Sequence, residues 1–217
     1  MHPWDVSPKE AIGIQQALQK QLNLRDDFGE IKTVAGVDVG FEKNNSITRA
    51  AIAVLDFESL ELRETAIARR PTTFPYIPGL LSFREIPAIL QAMLQLKRPP
   101  DLLLCDGRGI AHPRRFGIAA HLGLLTAIPS VGVAKSRLIG THADVPEERG
   151  AHVPLMDGEE QIGVVLRTRA HVRPLYISSG HRVGIASAVA FVMKCTTRYR
   201  LPETTRHAHR LASGPLE

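Results

Sequence analysis

The sequence predicts a single α/β domain in which a mixed central sheet, its first three strands antiparallel, is flanked by helices. Three observations carry this. β-branched apolar stretches alternate with segments of helical periodicity in the order β-β-β-α-β-α-β. The first strands are joined by short connections with turn chemistry, such as EKNNSIT, which leave consecutive strands antiparallel. The later stretch DLLLCDGRG is apolar right up to Asp106, the look of a buried parallel strand. A chain of 217 residues suits one large domain, and with no repeat, low-complexity tract or linker the domain is expected to span 1–217.

Each element has a local reason. Residues 7–24 read as an amphipathic helix, with Ser7 as N-cap, Pro8 at the first turn and Glu10 completing a capping box. Its apolar face is expected to be Ala11, Ile14, Ala17, Leu18 and Leu22. IKTVAGVDVGF is the first strand, 49–57 the second and 60–69 the third. PTTFPYIPG is a proline-rich loop leading into a helix over 82–96, with Pro87 near its first turn. After the strand ending at Asp106, a helix over 115–126 and the strand PSVGVAKS follow. Residues 161–167 and 175–178 read as strands, 187–197 as a helix, and RLPETTRHAHRLAS as a last short helix.

Composition limits the class of function. With 44% hydrophobic and 23% charged residues, the chain resembles an average globular protein and needs no staple. A formal net charge of +5 suits a polyanionic partner, because Lys and Arg displace counterions from phosphates; an ordinary basic enzyme would look the same. Cys105 and Cys195 lie far apart with no CxxC pair, which speaks for a reducing compartment. The start MHPWDVSPKE is charged where a signal peptide needs an apolar core, and no apolar stretch has membrane-spanning length. The expectation is a cytoplasmic chain with no membrane partner.

The carboxylates are the anomaly. Asp38 sits between Val37 and Val39 in an apolar strand, and Asp106 ends another. Burying a charge costs free energy unless something pairs with it. Two aspartates on adjacent strands repel, and a hard divalent cation such as Mg²⁺ resolves the conflict through carboxylate oxygens, water and phosphate. Glu85, near a helix start, can add a third ligand. A capped turn or local ion pair explains any one of them alone, and spacing does not decide between these readings.

The segments VAGVDVGF, PYIPGLLSFRE, DGRGIAHPRRFG, VGVAKSRL and RLPETTRHAH together resemble the endonuclease V family of deoxyinosine 3′ endonucleases. The resemblance runs from about Ile31 to the C-terminus. It implies a ribonuclease H-like fold and a Mg²⁺ site on Asp38, Glu85 and Asp106, with Mn²⁺ able to substitute. It also implies cleavage of the second phosphodiester bond 3′ to deoxyinosine, leaving 3′-hydroxyl and 5′-phosphate ends. Lys135 is then expected at the active site, stabilising transition-state charge; otherwise it is a solvated turn lysine. His209, with His207 as a weaker neighbour, is placed near the metal centre, and His112 near the lesion or phosphate. One departure stands out: where the family usually carries His or Asn in DG-x-G, this chain has Arg108.

Substrate contacts are expected from the loop Pro75, Tyr76, Ile77 and Pro78, whose prolines stiffen an aromatic tip able to fill the gap left by an extruded base. Packing of Tyr76 on the core is the alternative. Close backbone approach to hypoxanthine is expected at Gly79, Leu80, Leu81, Gly107, Gly109, Gly117 and Ile118, with Arg84 nearby. Arg114, Arg115, Arg137 and Arg182 are candidates for phosphates, or for simple surface charge. The partner is expected to be single- or double-stranded DNA containing deoxyinosine, met by a monomer. The alternatives are an endoribonuclease for inosine in RNA, decided by 2′-hydroxyl contacts, and a non-catalytic nucleic-acid-binding module. The set Asp38, Glu85, Asp106 and Lys135 speaks against the latter.

Overall fold

The computed structural model describes residues 2–214. In chain order its elements are α1 (Pro8–Gln19), β1 (Thr33–Glu42), β2 (Ile47–Asp56), β3 (Leu62–Pro71), α2 (Leu81–Met93), β4 (Leu102–Asp106), α3 (Ile118–Thr126), β5 (Ser130–Ala134), β6 (His152–Asp157), β7 (Glu160–Leu166), β8 (Leu175–His181), α4 (Ile185–Lys194) and α5 (Glu203–Ser213). The strands form one sheet in the order β3-β2-β1-β4-β5-β8-β7-β6. β1, β2 and β3 are an antiparallel meander, β4 and β5 run parallel to β1, and β8, β7 and β6 return antiparallel. This is the expected mixed, helix-flanked, ribonuclease H-like architecture. Among the described residues no helix is long and apolar enough to cross a membrane.

Strand parity builds the site. Side chains alternate between faces along a strand. Val34 of β1, Leu102 and Leu104 of β4, and Val131 and Val133 of β5 belong to one core, packed with Ala188 and Val192 of α4 and Ala208 of α5. Stepping by two from these residues reaches Asp38, Asp106 and Lys135, so all three share that face, Asp38 midway along β1, Asp106 at the end of β4 and Lys135 just past β5. The odd-numbered partners Ala35, Val37, Leu103 and Cys105 enter the other core, against Ile86 and Ile89 of α2 and Leu122 of α3. β1 and β4 pair Val37 with Cys105, which brings Asp38 and Asp106 level on neighbouring strands. The Asp101 carboxylate accepts from the backbone N–H of Lys32 and Thr33 at 3.0 and 2.8 Å, tying the starts of these two strands together.

Several expectations change. α1 ends at Gln19 instead of near 24, because Asn23 is drawn into tertiary bonds: its N–H donates to His181 Nδ1 and its carbonyl accepts from Arg182 N–H. Its fully buried residues are Ala11 and Gln15, while Ala17 is exposed. Pro87 lies inside α2, past its first turn. α3 starts at Ile118, not 115, because Arg115 holds φ +54° and Gly117 is the extended N-cap. β6 was not expected; it is an outer strand containing Pro154, and proline weakens a strand signal even where an edge tolerates it.

Candidate active site

Asp38, Asp106 and His209 each offer a ligand atom, and these atoms lie within 4.8 Å of one another. Asp38 Oδ1 accepts from the Val39 N–H at 2.8 Å, and Oδ2 meets His209 Nδ1 at 2.8 Å. Lys135 Nζ donates to Asp106 Oδ2. Burial raises the Asp38 pKa, the Asp106 charge raises it further, and His209, Val39 and Lys135 only partly oppose this. Glu85 reaches the same corner from α2, outside the tight group. Its carboxyl is pushed up to about 8 by burial and then by the charges of Asp38 and Asp106, with Arg84 acting weakly the other way. Three converging carboxylates, with ionisation of Asp38 and Glu85 disfavoured, plus an imidazole, form a donor set suited to a hard divalent cation.

α5 delivers His209 through two glycines. A Cβ on Gly36 would stand 2.0 Å from the Thr204 carbonyl oxygen, and one on Gly40 would stand 2.2 Å from that of Ala212. Both glycines lie on the Asp38 face of β1, so the helix backbone sits directly on the strand and its His209 ring meets Asp38. His207 points elsewhere: its Nδ1 faces Arg210 Nη2 at 3.4 Å.

Beside this centre lies a cleft of about 370 Å³, lined among others by Tyr76, Gly79, Leu81, Glu85, Asp106 and Ile118. Its size is that of a small-molecule site. Pro78, Gly107, Arg108, His112, Gly117 and Lys135 line it too. Tyr76 is 68% exposed at the loop tip, so it is not packed on the core; Ile77 and the buried Leu80 anchor the loop against Phe74 and Phe83 instead.

Gln15, which the sequence reading passed over, locks the cleft. The Gly79 carbonyl accepts from Gln15 Nε2 at 3.0 Å, His112 Nε2 at 3.0 Å and Arg114 Nη2 at 2.7 Å. Gln15 Nε2 also donates to the Phe116 carbonyl at 3.2 Å, and its Oε1 accepts from Arg114 Nε. One side chain from α1 thus bridges the two loops that wall the cleft. Gly79 adopts φ +79°, a region that favours glycine. The His112 Nδ1 accepts from the Arg114 N–H, so Nε2 carries the proton; burial and the neighbouring Arg114 lower the pKa to about 4 and keep the ring neutral. A glutamine one turn from Ala11, on the same face of an amphipathic helix, was the available signal.

Other expected contacts are placed differently. Gly109 is buried away from the cleft, where a Cβ would stand 1.9 Å from the Ser179 carbonyl oxygen. Arg84 stacks its guanidinium 4.4 Å from the Phe41 ring and donates to the Phe74 carbonyl, outside the cleft lining. Pro75 is exposed beside Tyr76 without lining the cleft. Of the arginines proposed for phosphates, Arg115 is paired with Asp157 and Glu160, Arg182 with Asp27, and Arg114 with Gln15 and Gly79. Arg137 is exposed.

The chain is similar to known proteins over nearly its whole length. The endonuclease V family model matches residues 16–210. An endonuclease V of Rippkaea orientalis is 59% identical over 96% of this chain and 91% of its own length. The crystal structure of the Streptomyces avermitilis endonuclease V superposes with a TM-score of 0.92 at 42% identity, covering 97% of this chain and 93% of that one. The Ciona intestinalis endonuclease V, solved in complex with a 23mer DNA containing an inosine followed by a ribo-adenosine, gives 0.85 at 27% identity, over 96% of this chain and 97% of that one. The chain belongs to the endonuclease V family.

Proposed function

We propose that this endonuclease recognises deoxyinosine in DNA and hydrolyses the second phosphodiester bond 3′ to it, leaving 3′-hydroxyl and 5′-phosphate ends. The observation that carries this reading is that Asp106, with Glu85, belongs to both the carboxylate centre and the cleft beside the exposed Tyr76. A base held in that cleft keeps its own strand next to the cutting residues.

In this reading Asp38, Glu85 and Asp106 hold Mg²⁺, Mn²⁺ substitutes, and His209 stands beside them. Bound there, the cation supplies Lewis acidity toward a phosphate oxygen and a water molecule. The chain's own groups do the rest. Tyr76 occupies the gap left by the extruded base. Gly79, Leu81, Gly107, Gly117 and Ile118 shape a wall close enough for backbone N–H groups to donate to hypoxanthine O6, where the amino group of adenine finds no acceptor. Water adds to phosphorus, the bond from phosphorus to the 3′ oxygen breaks, and that oxygen takes a proton from solvent to leave as the 3′-hydroxyl. His209, with Nδ1 on Asp38, has its second ring nitrogen to take the water's proton. The Lys135 ammonium, next to Asp106, balances charge gathering on the phosphoryl oxygens.

The test is cleavage of matched oligonucleotides carrying one inosine, as DNA and as RNA, with Mg²⁺ and with EDTA. Cutting of inosine DNA at the second 3′ bond, only with Mg²⁺ and not of the adenine control, is the expected result. Equal cutting in EDTA overturns the metal assignment, and equal cutting of adenine DNA overturns the lesion assignment. Preference for the RNA strand replaces the substrate class. Binding without cutting in every condition returns the chain to a non-catalytic module.

A further inference from the structure

We propose that Arg108 holds the phosphate of the first linkage 3′ to the lesion, the one between the base cleft and the bond that is cut. This rests on the deoxyinosine endonuclease reading above. If the second linkage is hydrolysed, one intact phosphate must lie between the nucleoside in the cleft and the scissile phosphate at the carboxylates. That phosphate crosses the wall separating Tyr76 from Asp106, and Arg108 stands on this wall, lining the same cleft as both.

Its side chain is placed but not consumed. Nη2 donates to the Ser136 carbonyl at 3.1 Å, with Ser136 Oγ at 3.4 Å, next to Lys135. Among the described residues this is the guanidinium's one hydrogen-bonded nitrogen, and no carboxylate lies within ion-pair distance of it. Asp106, the nearest candidate, already has Lys135 on Oδ2. A half-buried guanidinium without a paired anion has lost part of its hydration with no charge in return. A phosphate supplies the missing anion, and the planar fork matches its oxygens two at a time.

The backbone is equally fixed. The Arg108 carbonyl accepts from the Ala119 N–H at 3.0 Å, and a Cβ on Gly132 of β5 would stand 2.6 Å from the Arg108 carbonyl carbon. Two glycines, at 109 and 132, therefore let this segment lie tight against the sheet, with Arg108 lining the cleft. Such a residue costs little ordering entropy when it meets its ligand.

The experiment uses single-turnover cleavage of inosine DNA in which that one linkage is a neutral methylphosphonate, by wild type, Arg108→Ala and Arg108→Lys. Neutralising the linkage should slow wild type on the order of tenfold or more, as loss of a charge-assisted contact does. Arg108→Ala should be slowed similarly on the natural substrate and no further on the neutral one. Arg108→Lys, which keeps the charge, should retain part of the sensitivity; it preserves the comparison if the alanine variant folds poorly. Equal sensitivity of wild type and Arg108→Ala to the neutral linkage overturns the assignment, as does a wild type indifferent to it. Failure of wild type to cut unmodified inosine DNA sinks the parent reading instead, and the unmodified substrate shows this separately.

Discussion

At the scale of single residues, the centre is defined by charges that do not tolerate one another. Glu85 with a folded pKa of about 8, against the ordinary 4.5, holds its proton better in the folded than in the unfolded chain. Its contribution to stability is therefore complete below about pH 4.5 and is lost as pH rises toward 8 in metal-free protein. Thermal unfolding in chelator should show a falling Tm across that window. Glu85→Gln should flatten the fall by the equivalent of about one proton, and an unchanged slope would assign the titration to another group. A divalent cation should raise the Tm more at pH 8 than at pH 5, since it competes with protons for the same oxygens. Asp38→Ala should abolish cleavage while leaving binding of inosine DNA measurable; a near wild-type rate would place the chemistry elsewhere. His112 works in the opposite sense: with its pKa lowered to about 4, its contribution is complete above the ordinary 6.5 and is lost as pH falls between these values.

At the scale of elements, two contacts place the machinery. α5 lies directly on β1 because Gly36 and Gly40 have no side chains. Gly36→Ala puts a methyl group 2.0 Å from a helix carbonyl, so the helix must lift and carry His209 away from Asp38. We expect a stability loss of roughly 1–3 kcal/mol from overpacking, with a drop in kcat beyond what the residual folded fraction explains. A kcat equal to wild type per folded molecule would show that the His209 contact is dispensable. The loop carrying Tyr76 is held through the Gly79 carbonyl by Gln15, His112 and Arg114. Gln15→Ala should cost roughly 1–3 kcal/mol by leaving buried groups unsatisfied. It should also reduce discrimination of inosine from adenine without changing Mg²⁺ affinity. Loss of stability with discrimination intact would make Gln15 purely structural. Tyr76→Ala, at an exposed tip, should weaken lesion binding with little change in Tm.

At the scale of the molecule, one sheet with a core on each face joins β1 through β8, and we propose that the chain unfolds as one domain. The one tryptophan, Trp4, packs at the edge of the α2 side, near Phe83 and His121. Its fluorescence and the far-ultraviolet circular dichroism should report one coincident transition; separated midpoints would divide the chain into independent units. The net charge of +5 predicts binding to DNA that weakens steeply with salt.

The sequence alone determined the meander, the buried strand ending in Asp106 and the anomaly of two aspartates in apolar strands. These signals are local: alternation, turn residues and a charge where the pattern demands a hydrophobe. Even the family was legible, from VAGVDVGF through RLPETTRHAH. Tertiary structure alone decided that His209 meets Asp38, that Gln15 bridges two distant loops, that Arg115 serves Asp157 and Glu160, and that Arg108 faces the cleft with no ion-pair partner among the described residues. These contacts span long separations in the chain. The placements of His209 and Arg108 depend on glycines whose missing Cβ atoms matter only once a second backbone arrives, and nothing in the local pattern records that approach.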